Sequence, residues 1–225
     1  SHPGNETPMT VLLDGNIIFS ANIQQDARYG DFPGGSQVYM IGPEGGRPEM
    51  VTSMQISNMS VRLDNTVIYE DYKGYEDPLR KHHTSSVTRD IWMYVPSIDP
   101  SEGFRIDGNG TFTKLTSFNG EDRNPVFELG GNAYYYLSEQ DGTLNIYYTD
   151  SLADQLFNGG SIKSKQITFY KGNPVRYLSI SHNGTLCYSY DGELYTIKSG
   201  GQPEKVDIQI VTDQIEKGSE IQTLT

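Results

Sequence analysis

The sequence predicts an all-β protein of four tandem units, each a sheet of four antiparallel strands. Three observations predict it. An aliphatic-aromatic pair recurs at Val38-Tyr39, Ile91-Trp92, Ile146-Tyr147 and Leu194-Tyr195. A short apolar run precedes each pair, at Ile17-Ile18-Phe19, Val67-Ile68-Tyr69, Tyr134-Tyr135-Tyr136 and Leu186-Cys187-Tyr188. A turn dipeptide stands before each run, at Asp14-Gly15, Asp64-Asn65, Gly130-Gly131 and Asn183-Gly184.

Each element of the unit has its own physical warrant. The dipeptides tolerate the positive φ of two-residue hairpin turns, so they join an inner strand to the apolar run. The run and the following pair are rich in β-branched and aromatic residues, which suit strands. A Gly-rich or polar turn comes next, at Glu44-Gly45-Gly46, Asp107-Gly108-Asn109-Gly110, Asn158-Gly159-Gly160 and Ser199-Gly200-Gly201. A fourth strand follows, at Glu49–Thr52, Thr113–Thr116, Lys165–Thr168 and Lys205–Ile208, and the first three end in an aliphatic-Thr pair. Twice a unit opens with Asn-Pro-Val, at 124–126 and 173–175. Four antiparallel strands repeating at about 50 residues mark a β-propeller blade. The blades are expected near residues 8–53, 54–117, 118–170 and 171–210, with 211–225 a linker or the first strand of a following domain. Only Ser151–Phe157 hints at helix, and at no more than one turn.

Composition excludes several function classes. The 225 residues carry 17 Lys and Arg against 29 Asp and Glu, a net charge of −12. Phosphate backbones and anionic bilayers repel such a chain, so neither nucleic acid nor membrane is an expected partner. No apolar run approaches the ~20 residues of a membrane-spanning helix. A single cysteine, Cys187, excludes an intramolecular disulfide framework and a Cys-based zinc site. The chain opens Ser1-His2-Pro3 without Met or a signal peptide, which reads as a mature, trimmed or excised polypeptide.

The repeat unit resembles the WD40-like propeller repeat of TolB and tricorn protease. More specific are Lys73-Gly74-Tyr75-Glu76-Asp77, Arg80–Ser86, Thr88-Arg89-Asp90-Ile91-Trp92 and Phe118–Val126. With these, residues 1 to about 215 resemble the N-terminal propeller of bacterial tricorn-type serine peptidases. The resemblance implies a periplasmic or otherwise exported peptidase with two propellers, a PDZ domain and a separate catalytic domain. It implies a six-bladed first propeller, of which this chain supplies four blades. The expected partners are the rest of that polypeptide and peptides, and two open blade faces rich in Tyr and Ile are expected to lead either to self-association or to irregular closure into a four-blade ring. None of the catalytic residues of that family has a counterpart here, so no active site and no cofactor is expected. Two rivals stand beside this reading: a free-standing protein-interaction propeller like TolB, and a propeller enzyme with its own acids.

Blade geometry opens the loop between strands two and three on the same face as the connection to the next blade. Long insertions at Asn22–Ser36 and Asp71–Thr88, with the connection Asn119–Arg123, gather Arg28, Tyr29, Tyr72, Lys73, Tyr75, Arg80, Lys81, His82, His83 and Arg123 there. Loops on rigid scaffolds carry function. Arg, whose planar fork bonds carboxylates in two places, makes a docking surface for an acidic or carboxylate-bearing partner. The expected ligand-binding set is Arg28, Tyr29, Tyr75, Arg80, His82, His83 and Arg123. The alternative is a solvated loop whose Glu76 and Asp77 neutralise Arg80 and Lys81.

Other chemistries find less support. Adjacent His82 and His83 on an extended loop point apart, so they do not converge on a metal. Asp141-Gly142 and Asp191-Gly192 lack the alternating acids of a calcium loop and read as hairpin turns. There is no Gly-x-Ser-x-Gly, and His182 flanks a turn. Nothing singles out a glycosidase carboxylate pair among 29 acids. Cys187 reads as a buried, inert side chain in a strand. Alternation puts Tyr134 and Tyr136 on one face and Tyr135 on the other, all three packed between blades, and Trp92 likewise.

Overall fold

A computed structural model describes residues 6–23, 36–75, 84–97, 103–128, 130–150, 152 and 163–209. Among them sixteen strands form four separate four-stranded antiparallel sheets. The first blade holds β1 (Glu6–Val11), β2 (Ile17–Ala21), β3 (Gln37–Ile41) and β4 (Glu49–Thr52). The second holds β5 (Ile56–Val61), β6 (Val67–Asp71), β7 (Ile91–Val95) and β8 (Thr111–Lys114). The third holds β9 (Asp122–Phe127), β10 (Tyr134–Ser138), β11 (Asn145–Thr149) and β12 (Lys165–Gln166). The fourth holds β13 (Arg176–Ile180), β14 (Leu186–Tyr190), β15 (Glu193–Ile197) and β16 (Glu204–Lys205). The protein is an all-β propeller arc of four blades. The expected helical turn at 151–157 lies almost wholly outside the described residues.

The recurrent motifs have identifiable tasks. Asp14 and Asp64 each accept the backbone amide two residues on, at 3.0 and 3.1 Å, which closes the first hairpin of their blades. In the second blade Asn65 itself takes a left-handed φ of 61°. The aliphatic-Thr pairs knit the fourth strand to the third. Leu115 and Ile167 donate their amides to the carbonyls of Ile91 and Ile146, at 2.8 Å each. The next residue in each case, Thr116 or Thr168, takes the amide of that same Ile on its hydroxyl, at 3.0 and 2.9 Å.

Alternation gives blades 2 and 3 two buried faces, each shared with a neighbouring blade. Ile18, Val38 and Val51 of blade 1 pack with Val67, Tyr69 and Tyr94 of blade 2. Ile68, Ile91, Met93 and Leu115 of blade 2 meet Phe127, Tyr134, Tyr136 and Tyr147 of blade 3. Leu137, Leu144 and Ile146 of blade 3 meet Val175, Leu178, Leu186 and Tyr188 of blade 4. In blades 1 to 3 the aliphatic member of the recurrent pair thus faces the next blade, and in blades 2 to 4 the aromatic end of the run faces the previous one. Each such fully buried side chain contributes about 1.5–3 kcal/mol.

The ends of the arc correct two expectations. Blade 4 does not present a face rich in Tyr and Ile. Tyr188, Tyr190 and Tyr195 turn back with Tyr170 into the junction with blade 3. Alternation leaves Ser179, Cys187, Ser189 and Leu194 on the outward side. Cys187, expected buried, is half-buried there, because no described blade covers it. At the other end, Phe19, Ala21 and Tyr39 are buried in a cluster with Ile23 and Ile41. Among the described residues no hydrophobic cluster joins blade 4 to blade 1.

The two Asn-Pro-Val stretches are not structural equivalents. Asn124 lies inside β9, whereas Asn173 precedes β13. The true equivalents are Arg123, paired opposite Leu137, and Arg176, paired opposite Ser189. The residue after each, Asn124 or Tyr177, has positive φ (48° and 56°) beside a break in register. Such breaks occur in all four innermost strands and bend them.

Candidate functional site

The described part of the loop face over blades 2 and 3 is built from charged strand ends. β6 ends in Glu70-Asp71, β7 follows Arg89-Asp90, and β9 begins Asp122-Arg123 after Glu121. Strand pairing brings these ends together at one edge of the blade junction.

Most of these charges are satisfied by one another. Glu70 is fully buried. It pairs with Arg89 and accepts the Asn58 side-chain amide at 2.8 Å and the Asn124 backbone amide at 3.0 Å. The Arg89 guanidinium lies 5.4 Å from the centre of the Tyr72 ring. Asp90 pairs with Lys73 and, at 2.9 Å, with Lys114. Asp71 accepts the Asp90 amide at 2.8 Å and the Trp92 indole at 3.2 Å. Burial pushes the Asp71 carboxyl above its ordinary value. Burial alone would lower Lys73, yet its bonds to Asp90 and Asp71 hold it above the usual lysine range.

Glu121 pairs with Arg123 at 2.6 Å, both nearly buried. Burial opposes the charge on Arg123, and the Glu121 carboxylate more than offsets that. Glu139 accepts the Glu121 amide at 3.0 Å.

Beside this network lies a cleft of about 600 Å³. The end of β8 and its connection to β9 contribute Lys114, Thr116 and Phe118 to its lining. β9 and β10 contribute Asp122, Tyr136 and Ser138, and Gln140 and Ser164 complete it. Asp122 sits at the start of β9, opposite Ser138 in the sheet. It is 1% exposed, and neither carboxylate oxygen has a hydrogen-bond partner of normal geometry. Burial, aided by the fields of Asp90 and Glu121, pushes its carboxyl up to about 7. The nearby hydroxyls of Ser138 and Thr116 offset only part of this. Tyr134, buried behind it, has a hydroxyl without a partner. Among the described residues no three His, Cys, Asp or Glu side chains gather as a metal site.

Of the expected ligand-binding residues, Arg28, Tyr29, Arg80, His82 and His83 lie outside the described residues. Tyr75 is 81% exposed at the edge of its insertion. Arg123 stands in β9 with its charge met by Glu121 rather than presented to solvent. Two neighbours in the same expected cluster are also engaged: Lys73 with Asp90, and Tyr72 under Arg89. Sequence reasoning missed Asp122, one acid of 29. Its signal was positional, since the first residue of an inner strand faces the end of the second strand of its own blade.

No protein-family model matches the sequence, and no curated protein matches it. Among solved structures the chain is similar to the tricorn protease, with a TM-score of 0.67 and 19% identity over 93% of this chain and 18% of that one. It is also similar to a putative TolB from Agrobacterium tumefaciens, with a TM-score of 0.57 and 17% identity over 87% of this chain and 62% of that one. TolB from Acinetobacter baumannii gives 0.56 and 16%, over 88% and 42%. At these identities the likeness is one of fold, the β-propeller. The chain spans less than two thirds of each of these three.

Proposed function

We propose that this chain is a docking segment, a non-catalytic propeller arc that holds peptides or a protein partner for chemistry performed elsewhere in a longer, tricorn-like serine peptidase. The observation that carries the reading is the polar cleft on the loop face, set on a rigid blade junction whose fold is that of the tricorn protease propeller. Rigid sheets with a lined cleft between them suit recognition. The ionised side chains around it are engaged in holding strand ends together, which is a structural task.

The test is incubation of the whole chain with a tryptic digest of casein, followed by mass spectrometry and equilibrium dialysis. The reading expects retained peptides with no new cleavage products. Cleavage by the purified chain, or no retention, would contradict it. A second reading, a free-standing interaction propeller, is favoured by the likeness to two TolB propellers over most of this chain. A reading frame that continues into a serine-peptidase domain separates the first from the second.

A further inference from the structure

Asp122 differs from the acids around it. Glu70, Asp90 and Glu121 each face a cation, and Asp71 accepts two N–H donors. Neither oxygen of Asp122 has such a partner, although the residue is 1% exposed. A buried carboxylate with no cation or N–H donor, and only the hydroxyls of Ser138 and Thr116 near it, costs free energy unless something else supplies one. Lys114 lines the same cleft but is held by Asp90 at 2.9 Å.

We propose that this cleft binds the primary ammonium group of a peptide, with Asp122 as its counter-ion. The inference rests on the peptide-docking reading above and names the chemical group that the site selects. An ammonium carries three N–H donors. One meets the Asp122 carboxylate, which the side chains lining the cleft close off from water in the free chain and must part to admit it, and the hydroxyls of Ser138 and Thr116 stand beside it to accept the others. Each hydroxyl oxygen already accepts one backbone amide, from Gln140 at 3.4 Å and from Ile91 at 3.0 Å, and keeps a second lone pair. The rings of Phe118 and Tyr136 line the same space and favour a cation over their faces.

The alternatives fit less well. An anion would face the Asp122 carboxyl, and the cation that lines the cleft, Lys114, is already held by Asp90. A bare metal ion would find one carboxylate in a cleft of about 600 Å³, far more room than an ion fills. A peptide end or a lysine side chain with its backbone fills it.

Binding is coupled to a proton. The groups facing Asp122 are Asp90 and Lys114 from blade 2, and Glu121, Tyr134 and Tyr136 from blade 3. Free, Asp122 holds its proton to about pH 7. An arriving ammonium expels that proton, so affinity rises with pH through neutrality.

Calorimetric titration of the whole chain tests this with three probes: a lysine-free alanine tetrapeptide with a free amino terminus, its N-acetylated form, and an N-acetylated form carrying one lysine. The first or the third binds, whichever amine is the natural source, and the fully blocked peptide does not. Asp122→Asn weakens binding at least about tenfold, the loss expected of a charge-assisted hydrogen bond. Ser138→Ala weakens it less and keeps the test open if Asp122→Asn fails to fold. Equal binding of all three peptides, unchanged by either variant, overturns the ammonium assignment and leaves peptide docking standing. Absence of binding by all three, together with no retention of casein peptides, overturns both.

Discussion

The backbone amide of Asn124, in the first strand of blade 3, donates to Glu70, in the second strand of blade 2, at 3.0 Å. This bond crosses the blade junction at the residue whose φ of 48° marks the break in β9. Glu70 holds Arg89 and Asn58 at the same time, so one buried carboxylate fixes the bend of an inner strand and the start of β7. Glu70→Ala leaves Arg89 uncompensated and is expected to cost about 3–5 kcal/mol. Glu70→Gln, which keeps an acceptor for Asn124, costs less. Urea melts followed by tyrosine fluorescence check both, and a loss below about 1 kcal/mol for the alanine variant contradicts the role.

Asp122 makes stability fall as pH rises. Its folded carboxyl lies at about 7 against an ordinary 3.8, so the native state holds a proton that the unfolded chain has lost. The stabilisation is complete below the ordinary value and is lost as pH climbs to about 7, by up to about 4 kcal/mol. Asp64 acts in the opposite sense. The Arg62 guanidinium holds it at about 2, so its contribution is present above the ordinary value and lost as pH falls. Asp122→Asn is therefore expected to gain on the parent chain steadily between pH 4 and pH 7, as measured by urea midpoints. A constant difference over that range contradicts the assignment.

Two glycines of one turn separate packing from turn chemistry. A Cβ on Gly110 would stand 2.2 Å from the Tyr94 ring and 2.6 Å from the Val95 carbonyl. Tyr94 is fully buried and bonded to Asp107 at 2.9 Å, so it does not give way. Gly110→Ala is expected to cost about 1–3 kcal/mol. A Cβ on Gly108 meets nothing within 4 Å. Gly108→Ala is expected to be neutral or slightly stabilising. Thermal melts of the pair give the comparison, and equal losses would contradict it.

Cys187 reports on the open end of the arc. It is half-buried on the outward side of blade 4, so a thiol reagent is expected to modify it in the native protein without denaturant. Closure of blade 4 onto blade 1 would bury it and make modification wait for unfolding. The rate of colour release with Ellman's reagent, with and without a low urea concentration, distinguishes the two.

Much of the fold was legible because its period is covalent. Tyr69, Tyr136 and Tyr188 recur at one place in the unit, and that place faces the preceding blade. The aliphatic-Thr pairs were visible as well, since Thr116 and Thr168 perform one hydrogen-bonding task in two blades. The ends of fourth strands were less legible. β12 and β16 are two residues long, and their pairing depends on a neighbour strand rather than on their own pattern. Asn-Pro-Val misled because proline and its neighbours set local geometry without setting register. The charged network was hidden for a different reason. Glu70, Arg89, Asp90 and Asp122 are distant along the chain, and only sheet pairing shows which acids find a cation and which does not.

Peptide docking is proposed for the loop face between blades 2 and 3. Hydrogen–deuterium exchange of the whole chain, with and without the casein digest, reads this out by position. Added protection is expected at 114–122 and around 136–140, with none at the opposite hairpin turns 14–16 and 183–185. Protection at those turns instead, or no change at 114–122 while peptide is bound, would contradict it.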